Sequence, residues 1–424
     1  MEMGSVMQLT REKFEEASKI VQRIVQPTKL IPSEYLSSQT GAEVFLKPEN
    51  VQHTGSYKIR GAYYKISTLS DEERGRGLIT ASAGNHAQGV AYAAQQFGAA
   101  AKIVMPTITP LIKVNRTKGY GADVVLYGDT YDESYEHALR LAEEHNYTFV
   151  HPFNDLDIAT GQGTIAAEIF QELPDVDYII VPVGGGGLIS GVATLAKMLN
   201  PEVKVIGVEP ADAAGMRASL AAGHIVELDA VSTIADGVAV KAVGDKVFPY
   251  VKEHLDDILV IDDEDLIGAF LDVMENHKMV VENAGLLSVA ALKQLNGKLT
   301  NGQFLNGQPD CRGRKVVCIL SGGNMDVITM ASVVQHGLIQ RDRIFTVSVL
   351  LPDKPGELVR VATTVSRVNG NIIKLDHNQF YSTNRNKAVE LKITMEAFGT
   401  SHKQEILSAL EEKDFNPKLL TAQL

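Results

Sequence analysis

Short apolar runs alternate with helix-like segments from about residue 40 to residue 330. The runs are rich in Val and Ile and show little alternation, which is typical of strands buried on both faces. Between them lie helical patterns such as His86–Phe97 and Tyr131–Glu144. This order predicts an α/β fold with mostly parallel sheets, whose sites lie at the carboxyl ends of strands. The candidate strands are Val44–Leu46, Gly77–Ala81, Ala101–Met105, Asp123–Leu126, Tyr178–Val183, Lys204–Val208, Ile258–Ile261 and Lys315–Leu320.

The pattern changes after about residue 344. Strand and helix patterns there follow the order β-α-β-β-α-β, which predicts a ferredoxin-like unit. Ser401 and Gln404 are candidates for a capping box at the second helix. The predicted elements are a strand at Ile344–Leu351, a helix from Leu358 to Val368, strands at Asn371–Tyr381 and Val389–Glu396, a helix around Ile406–Leu410 and a strand at Lys418–Thr421.

A break near Gln335–Arg343 separates the two patterns. We therefore expect a first domain at residues 1–335, a linker at 336–343 and a second domain at 344–424. A smaller subdomain of about residues 50–150 is expected within the first domain.

The composition of the chain makes several classes of binding partner and of cellular location unfavourable. The chain has 424 residues and a formal net charge of −12, so nucleic acid and anionic membranes are poor candidate partners. No run reaches the roughly 18 apolar residues that a membrane helix needs, and no signal peptide is recognisable at the N-terminus. Cys311 and Cys318 fit neither a metal-ligand pattern nor a disulfide framework, which suits a reducing cytoplasm.

The segment Ser56–Ala62 holds the first candidate for chemistry. Lys58 lies between Tyr57 and Arg60 in this segment. A lysine whose pKa is lowered by burial or by a nearby cation can form a Schiff base with an aldehyde. A solvated surface lysine is the alternative interpretation of the segment taken alone.

The segment Thr80–Gly89 joins a predicted strand to a predicted helix. Backbone N–H groups at a helix start bind anions such as a carboxylate. The Asn85 amide can hydrogen-bond a phenolic oxygen. An ordinary capped turn, with His86 simply packed at the helix start, is the alternative.

Four consecutive glycines, Gly184 to Gly187, follow the predicted strand Tyr178–Val183. Glycines let the backbone N–H groups wrap a phosphate, and the following helix adds its positive end. Neither the dinucleotide spacing nor the P-loop pattern is met, so a single phosphate is favoured over a nucleotide. Ser321, at the end of the strand Lys315–Leu320, presents a hydroxyl in a segment that otherwise predicts a turn.

Together these four segments resemble the fold-type II pyridoxal-phosphate (PLP) enzymes, and within them the threonine dehydratases, also called threonine ammonia-lyases. The resemblance runs from about Tyr35 to Asn324 and rests on S-Y-K-x-R-G-A, S-A-G-N-H-x-Q-G, G-G-G-G-L and S-G-G-N in this order. It implies two open parallel-sheet subdomains. It also implies that Lys58 bonds covalently to the cofactor next to Tyr57, that Asn85 contacts the ring hydroxyl and that Ser321 meets the pyridine nitrogen. The implied phosphate site is Gly184, Gly185, Gly186, Gly187 and Leu188, and the implied substrate-carboxylate site is Ser82, Ala83, Gly84, Asn85 and His86.

The resemblance further implies the reaction. Lys58, released by the substrate, takes the Cα proton, the β-hydroxyl leaves, and L-threonine becomes 2-oxobutanoate and ammonia, with L-serine giving pyruvate. A serine at the pyridine nitrogen makes the ring a weaker electron sink than a carboxylate would, which favours rapid elimination. A serine-preferring dehydratase and a non-catalytic amino-acid sensor are the alternatives.

Two positions depart from related serine racemases. The second serine that acts as a base in those racemases is replaced here by Ala83, so racemisation is not expected. The racemases' cation site lies near a Glu-Pro segment, here Glu209–Pro210, but the later carboxylate of that pattern is missing, and no metal is expected.

The tail resembles an ACT domain, a small amino-acid-sensing module. Leu351–Leu358 and the later Asn369–Asn371 carry this resemblance. It implies an amino-acid effector, with isoleucine or valine as candidates, bound between paired domains of a homo-oligomer, a dimer or a tetramer. A tail that only helps to assemble the oligomer is the alternative.

Overall fold

The computed structural model describes residues 8–292, 294–295, 310–378 and 389–420. The chain divides into two compact units, with the boundary between Asp326 and Val327. The α/β prediction for the first unit is confirmed by two sheets flanked by helices. Within the described ranges, no helix combines the length and the apolar character that crossing a membrane requires.

The described part of the first unit contains ten strands. They are β1 (Ile31–Pro32), β2 (Glu43–Pro48), β3 (Leu78–Ala81), β4 (Ala101–Met105), β5 (Asp123–Leu126), β6 (Thr148–Phe149), β7 (Tyr178–Pro182), β8 (Lys204–Pro210), β9 (Asp257–Ile261) and β10 (Lys315–Leu320). Eight of these ten strands follow the predicted apolar runs, and the two-residue strands β1 and β6 were not predicted. The helices are α1 (Arg11–Val21), α2 (Glu34–Thr40), α3 (Lys58–Thr68), α4 (Asp71–Gly75), α5 (Asn85–Gln96), α6 (Leu111–Gly119), α7 (Tyr131–His145), α8 (Leu156–Glu172), α9 (Gly187–Leu199), α10 (Gly215–Ala222), α11 (Phe248–His254), α12 (Asp263–His277) and α13 (Asn283–Ala291).

The larger sheet has six strands in the order β1-β2-β10-β7-β8-β9. All its pairings are parallel except the β1–β2 pair. The smaller sheet has four parallel strands in the order β5-β4-β3-β6 and is built from the chain between Leu78 and Phe149. Because β2, β7 and β10 are neighbours, the segments that follow their carboxyl ends meet at one edge of the larger sheet.

Helix α8 lies in the interior although it is rich in polar residues. Its residues from Thr160 to Thr164 are all buried, and the Thr160 and Thr164 hydroxyls donate to carbonyls within the same helix. A side chain at Gly161 would come within 2.6 Å of the Gly61 Cα on α3, and one at Gly163 within 2.8 Å of the Gly191 carbonyl on α9. Glycine costs helix stability relative to alanine, so these residues fit the close backbone approach of three helices.

The second unit contains α14 (Val327–Gln340), β11 (Ile344–Leu351), α15 (Glu357–Arg367), β12 (Asn371–Asn378), β13 (Val389–Glu396), α16 (Thr400–Glu411) and β14 (Lys418–Leu420). From β11 onward the order is β-α-β-β-α-β, as predicted, and the sheet is antiparallel with the order β12-β13-β11-β14. Val347 and Ile393, which face each other across β11 and β13, are fully buried.

Two details of the tail differ from the expectations. The capping-box prediction at Ser401 and Gln404 is wrong, because α16 begins at Thr400 after Gly399 and has no side-chain cap. Helix α14 extends over residues 336–340 of the segment expected to be a linker. The expected strand ends at Tyr381 and Thr421 lie outside the described residues.

Candidate active site

Lys58 is the first residue of α3 and lines a pocket between the two sheets of the first unit. Its Nζ donates a hydrogen bond to the Pro152 carbonyl at 2.8 Å and lies 5.4 Å from the centre of the Tyr57 ring. Burial lowers the pKa of Lys58 to about 8, although the nearby Glu282 carboxylate opposes this shift. A lysine with such a pKa has an appreciable fraction of neutral amine near pH 7, which attack on an aldehyde requires.

Gly184–Leu188 form the opposite wall of the same pocket, between β7 and α9. Gly186 has φ of 98°, a left-handed conformation that favours glycine. A side chain at Gly185 would overlap the Phe153 ring, and one at Gly187 would lie 2.8 Å from the Phe153 carbonyl. Helix α9 begins at Gly187, so its first N–H groups face the loop without partners inside the helix.

The glycine loop therefore fits the phosphate of PLP. Its backbone is open where side chains would fill it, and a helix N-terminus favours an anion there. Lys58 supplies an amine within the same pocket. On these observations the residues present suit this cofactor.

Asn85 begins α5 and lies at the centre of a hydrogen-bonded group. Its Nδ2 donates to Glu282 Oε1 at 2.5 Å, and its Oδ1 accepts from Asn324 Nδ2 at 2.8 Å. Asn324 Nδ2 also donates to the Thr54 carbonyl at 2.7 Å. The amide predicted to contact the cofactor is thus held directly by Glu282 and Asn324, and Thr54 in turn holds Asn324.

Ser321 follows β10 and lines the pocket together with Lys58 and the glycine loop. Its carbonyl accepts from the Tyr57 N–H at 3.1 Å, and Ser56 and Gly322 form an isolated antiparallel bridge. The first and the last of the sequence motifs are therefore held side by side by their backbones.

The turn from Ser82 to His86 lines a second cavity of about 260 Å³, which adjoins the first and shares Lys58, Asn85 and Glu282 with it. The Ser82 hydroxyl accepts from the Gly84 N–H at 3.2 Å. His86 is buried, its Nε2 lies 3.0 Å from the Val150 carbonyl, and burial lowers its pKa to about 3. His86 is therefore neutral at pH 7 and does not act as an acid there.

Sequence reasoning missed Glu282, which lines both cavities and is 6% exposed. Burial, assisted by the charge of Asp236, raises its pKa to about 7. A side chain at Gly322 would overlap Glu282 Oε1, so this glycine makes room for the carboxyl. The signal in the sequence was the acidic residue directly before the apolar helix Asn283–Ala291.

Other lining residues were also missed, among them Lys113, Tyr131, Phe153 and Asp236. Lys113 on α6 and Asp236 form an ion pair of 3.1 Å at the second cavity. These residues come from separate elements and belong to no local motif, so only the fold brings them to the site.

Glu209 caps the start of α10. Its Oε1 accepts from the Met216 N–H at 2.8 Å and its Oε2 from the Arg217 N–H at 2.9 Å, at the start of α10. Burial raises its pKa to about 8. In the described part of the chain, no group of three or more His, Cys, Asp or Glu residues is arranged to hold a metal ion.

Comparison with known proteins gives consistent matches. Residues 21–322 match the family model described as pyridoxal-phosphate dependent enzyme. The chain is 42% identical over 412 residues to the L-threonine ammonia-lyase of Thermotoga maritima, covering 97% of this chain and 100% of that protein. The processed threonine deaminase isoform 2 of Solanum lycopersicum is 39% identical with a TM-score of 0.70, covering 77% of this chain and 94% of that one. Maize serine racemase is 34% identical with a TM-score of 0.71, over 78% and 98% of the two chains.

Proposed function

Because the chain belongs to the family of pyridoxal-phosphate dependent enzymes, we propose that it is an L-threonine ammonia-lyase, which produces 2-oxobutanoate and ammonia. The observation that carries this function is one pocket lined by Lys58, the glycine loop, Asn85 and Ser321. The identity to threonine ammonia-lyases over nearly the whole chain supports threonine as the substrate.

Each part of the pocket has its own task. The loop Gly184–Leu188 would hold the cofactor phosphate through backbone N–H groups, and Ser321 and Asn85, which line the same pocket, would orient the ring. When bound, pyridoxal phosphate withdraws electrons from the carbon that bears the substrate's amino group, which weakens the Cα–H bond and allows the β-hydroxyl to leave. Lys58 would hold the cofactor through its amine, and the same amine, once free, would take the Cα proton of the substrate.

The second cavity suits the substrate. The turn Ser82–His86 offers N–H groups at the start of α5 to the carboxylate, and neutral His86 leaves the charge of this site unchanged. Ala83 lines this cavity and has no group that transfers a proton. The face of the substrate opposite Lys58 therefore has no base at that position, which supports elimination rather than racemisation.

Two measurements test this function. The purified holoenzyme is incubated with L-threonine and L-serine, and the release of 2-oxobutanoate and pyruvate is followed at equal substrate concentration. Faster release of pyruvate would replace the proposal by a serine-preferring dehydratase. Borohydride reduction followed by peptide mapping is expected to place the cofactor on Lys58, and a label on another lysine would contradict the assignment.

We propose that the second unit is an ACT regulatory domain. Its β-α-β-β-α-β order and the turn between β11 and α15 support this assignment. An amino-acid effector then binds between paired copies in a dimer or tetramer. Titration calorimetry of the full chain with isoleucine and valine, together with the assay, tests this idea, and absence of both binding and rate change would limit the unit to assembly.

We also propose a cytoplasmic location. Cys311 and Cys318 are both buried and are not joined in a disulfide, which suits a reducing compartment. Fractionation of the native cells, followed by detection of the protein, tests this assignment.

A further inference from the structure

Arg60 lies on α3 two residues after Lys58, and its side chain has no exposed surface. Two residues along a helix are rotated by about 200°, so their side chains leave opposite sides of the helix. Lys58 lines the pocket, whereas Arg60 extends into the interior of the first unit. The proposed reaction uses Lys58 and assigns no task to Arg60.

The Arg60 guanidinium has a partner for every one of its N–H groups. It donates to Glu49 Oε2 at 2.7 Å and Oε1 at 2.8 Å, and to Glu168 Oε1 at 2.6 Å and Oε2 at 2.9 Å. The remaining N–H donates to the Thr164 hydroxyl at 3.1 Å. Lys47 Nζ adds a 2.6 Å ion pair to Glu168. We call Lys47, Glu49, Arg60 and Glu168 the buried charge cluster; the first three are fully buried, and the Glu168 side chain is 20% exposed.

The cluster joins three parts of the fold. Lys47 lies in β2 and Glu49 directly after it, Arg60 lies in the first turn of α3, and Glu168 lies in α8. The two cations balance the two carboxylates, so the cluster is neutral as a whole. A planar guanidinium that binds two carboxylates bidentately fixes direction as well as distance.

The start of α3 depends on such long-range contacts. Tyr57, the N-cap residue, makes no side-chain capping bond. The Gly61 N–H instead donates to Gln162 Oε1 on α8 at 3.2 Å, and a side chain at Gly61 would lie 2.7 Å from the Ile158 carbonyl. On the other side, a side chain at Gly89 of α5 would lie 3.2 Å from the Lys58 carbonyl.

The effect of the buried charge cluster on the free energy of unfolding differs from its effect on the position of α3. Replacing a complete buried ion cluster by neutral residues often leaves stability unchanged, whereas removing one member leaves an uncompensated charge. A buried cluster is therefore weak evidence for stability. Its geometry matters more here, because a misplacement of about 1 Å at a reacting group can cost roughly 100-fold in rate.

We propose that Arg60 is a positioning residue: through the buried charge cluster it fixes the first turn of α3, so that Lys58 Nζ meets the aldehyde carbon of a cofactor whose phosphate is held at Gly184–Gly187. The inference rests on the proposed function of Lys58 and of the glycine loop. It predicts that changes to the cluster alter the affinity for the cofactor and the orientation of the bound cofactor, independently of the stability of the fold.

The test uses full-length protein and two variants. Arg60→Lys keeps the charge but loses the bidentate contacts. In the quadruple variant Lys47→Met, Glu49→Gln, Arg60→Met, Glu168→Gln, every member of the cluster is neutral, so no unpaired charge remains. Asp256→Asn is the matched control, because Asp256 pairs with Lys197 and Lys204 at the amino end of β8, away from the pocket.

Four quantities are measured for each protein: urea unfolding of the apoprotein, the Kd for pyridoxal phosphate, the visible circular dichroism of the bound cofactor, and kcat with KM for L-threonine. We expect the quadruple variant to fold, to bind the cofactor at least about tenfold more weakly and to show reduced dichroism. The fold decrease in its kcat is expected to exceed the fold increase in its KM. For Kd, dichroism and kcat, the values of Arg60→Lys are expected to lie between those of the quadruple variant and those of the wild type.

Three outcomes overturn the proposal. The first is a folded quadruple variant with wild-type Kd, dichroism and kcat. The second is failure of both variants to fold, which would assign the cluster to the core alone. The third is an equal change of Kd in Asp256→Asn. Failure of the proposed function would appear differently, because borohydride would then leave Lys58 of the wild-type protein unlabelled.

Discussion

The two units of the chain bury different kinds of side chain. The first encloses charged groups, among them Lys47, Glu49, Arg60, Glu209 and Glu282. In the described part of the second unit, the buried set is mainly aliphatic, and its buried carboxyl, Glu390, accepts a hydrogen bond of 2.7 Å from the Ser348 hydroxyl. Acid-base and nucleophilic catalysis uses side chains whose pKa is shifted from the ordinary value of that residue type, and burial produces such shifts. Activity should therefore be sensitive to substitution of single polar side chains in the first unit. In the second unit, substitutions that change the volume of the apolar core should mainly change stability.

The largest effect is expected at Lys58. Lys58→Ala removes both the covalent attachment and the base for the Cα proton, so kcat with threonine should fall at least about 10³-fold. Stopped assays of 2-oxobutanoate at saturating threonine measure this loss. Lys65→Ala on the same helix is the control for loss of a lysine, and a Lys58→Ala protein with more than a tenth of wild-type activity would refute the assignment.

Gly185→Ala tests the glycine loop. The added methyl group overlaps the Phe153 ring, and overpacking of this kind costs about 1–3 kcal/mol. We therefore expect the Kd for pyridoxal phosphate to rise roughly 10- to 100-fold, as measured by titration of the apoprotein. Gly119→Ala on α6 has no atom within 4 Å of the new methyl group and should bind the cofactor as the wild type does.

Glu282→Gln tests a buried carboxyl with a shifted pKa. The pKa of Glu282 is raised to about 7 in the folded protein from an ordinary 4.5. The folded state therefore binds this proton more tightly than the unfolded state does. The resulting stabilisation is complete below pH 4.5 and is lost as the pH rises through about 7, a difference on the order of 3 kcal/mol.

Urea unfolding of the apoprotein between pH 5 and pH 8 should accordingly show a flatter pH dependence for Glu282→Gln than for the wild type. Glu209→Gln is the matched control, because burial raises the pKa of Glu209 to about 8 but its carboxylate only caps α10. Both variants should flatten the profile, and only Glu282→Gln should lower kcat, by roughly tenfold. Equal decreases of kcat in the two variants would refute a role of Glu282 in the active site.

The smallest effect on catalysis is expected from the second unit. Ile393→Ala deletes a fully buried side chain in β13, which should destabilise this unit by about 2–5 kcal/mol. Without effector, kcat should change less than about twofold. Calorimetric unfolding and the threonine assay measure the two quantities, and a parallel loss of kcat would show that the comparison between the units fails.

The fold was largely predictable because local patterns dominate it. Buried strands such as β7 and β10 show as apolar runs, and the tail shows alternating and helical spacing in the right order. The capping of α16 was missed because the helix starts one residue before Ser401, and such boundaries depend on backbone conformation rather than on composition.

The site was predictable only where it follows a motif. Lys58, Asn85 and Ser321 lie within recognisable segments, and the structure brings them to one pocket. Glu282 shows in the sequence only as an acidic residue before an apolar helix, and Arg60 only as a cation near Lys58 in the same motif. Their importance comes from desolvation and from partners far along the chain, which a pattern of neighbouring residues does not contain.

The contact between the first and last motifs has a consequence for biosynthesis. Asn324 donates to the Thr54 carbonyl across 270 residues of chain, beside the bridge between Ser56 and Gly322. A ribosome must therefore release nearly the whole first unit before the pocket can close, and loop closure over such a separation is slow. Newly made chains should stay cofactor-free during translation and acquire it as a late step of maturation.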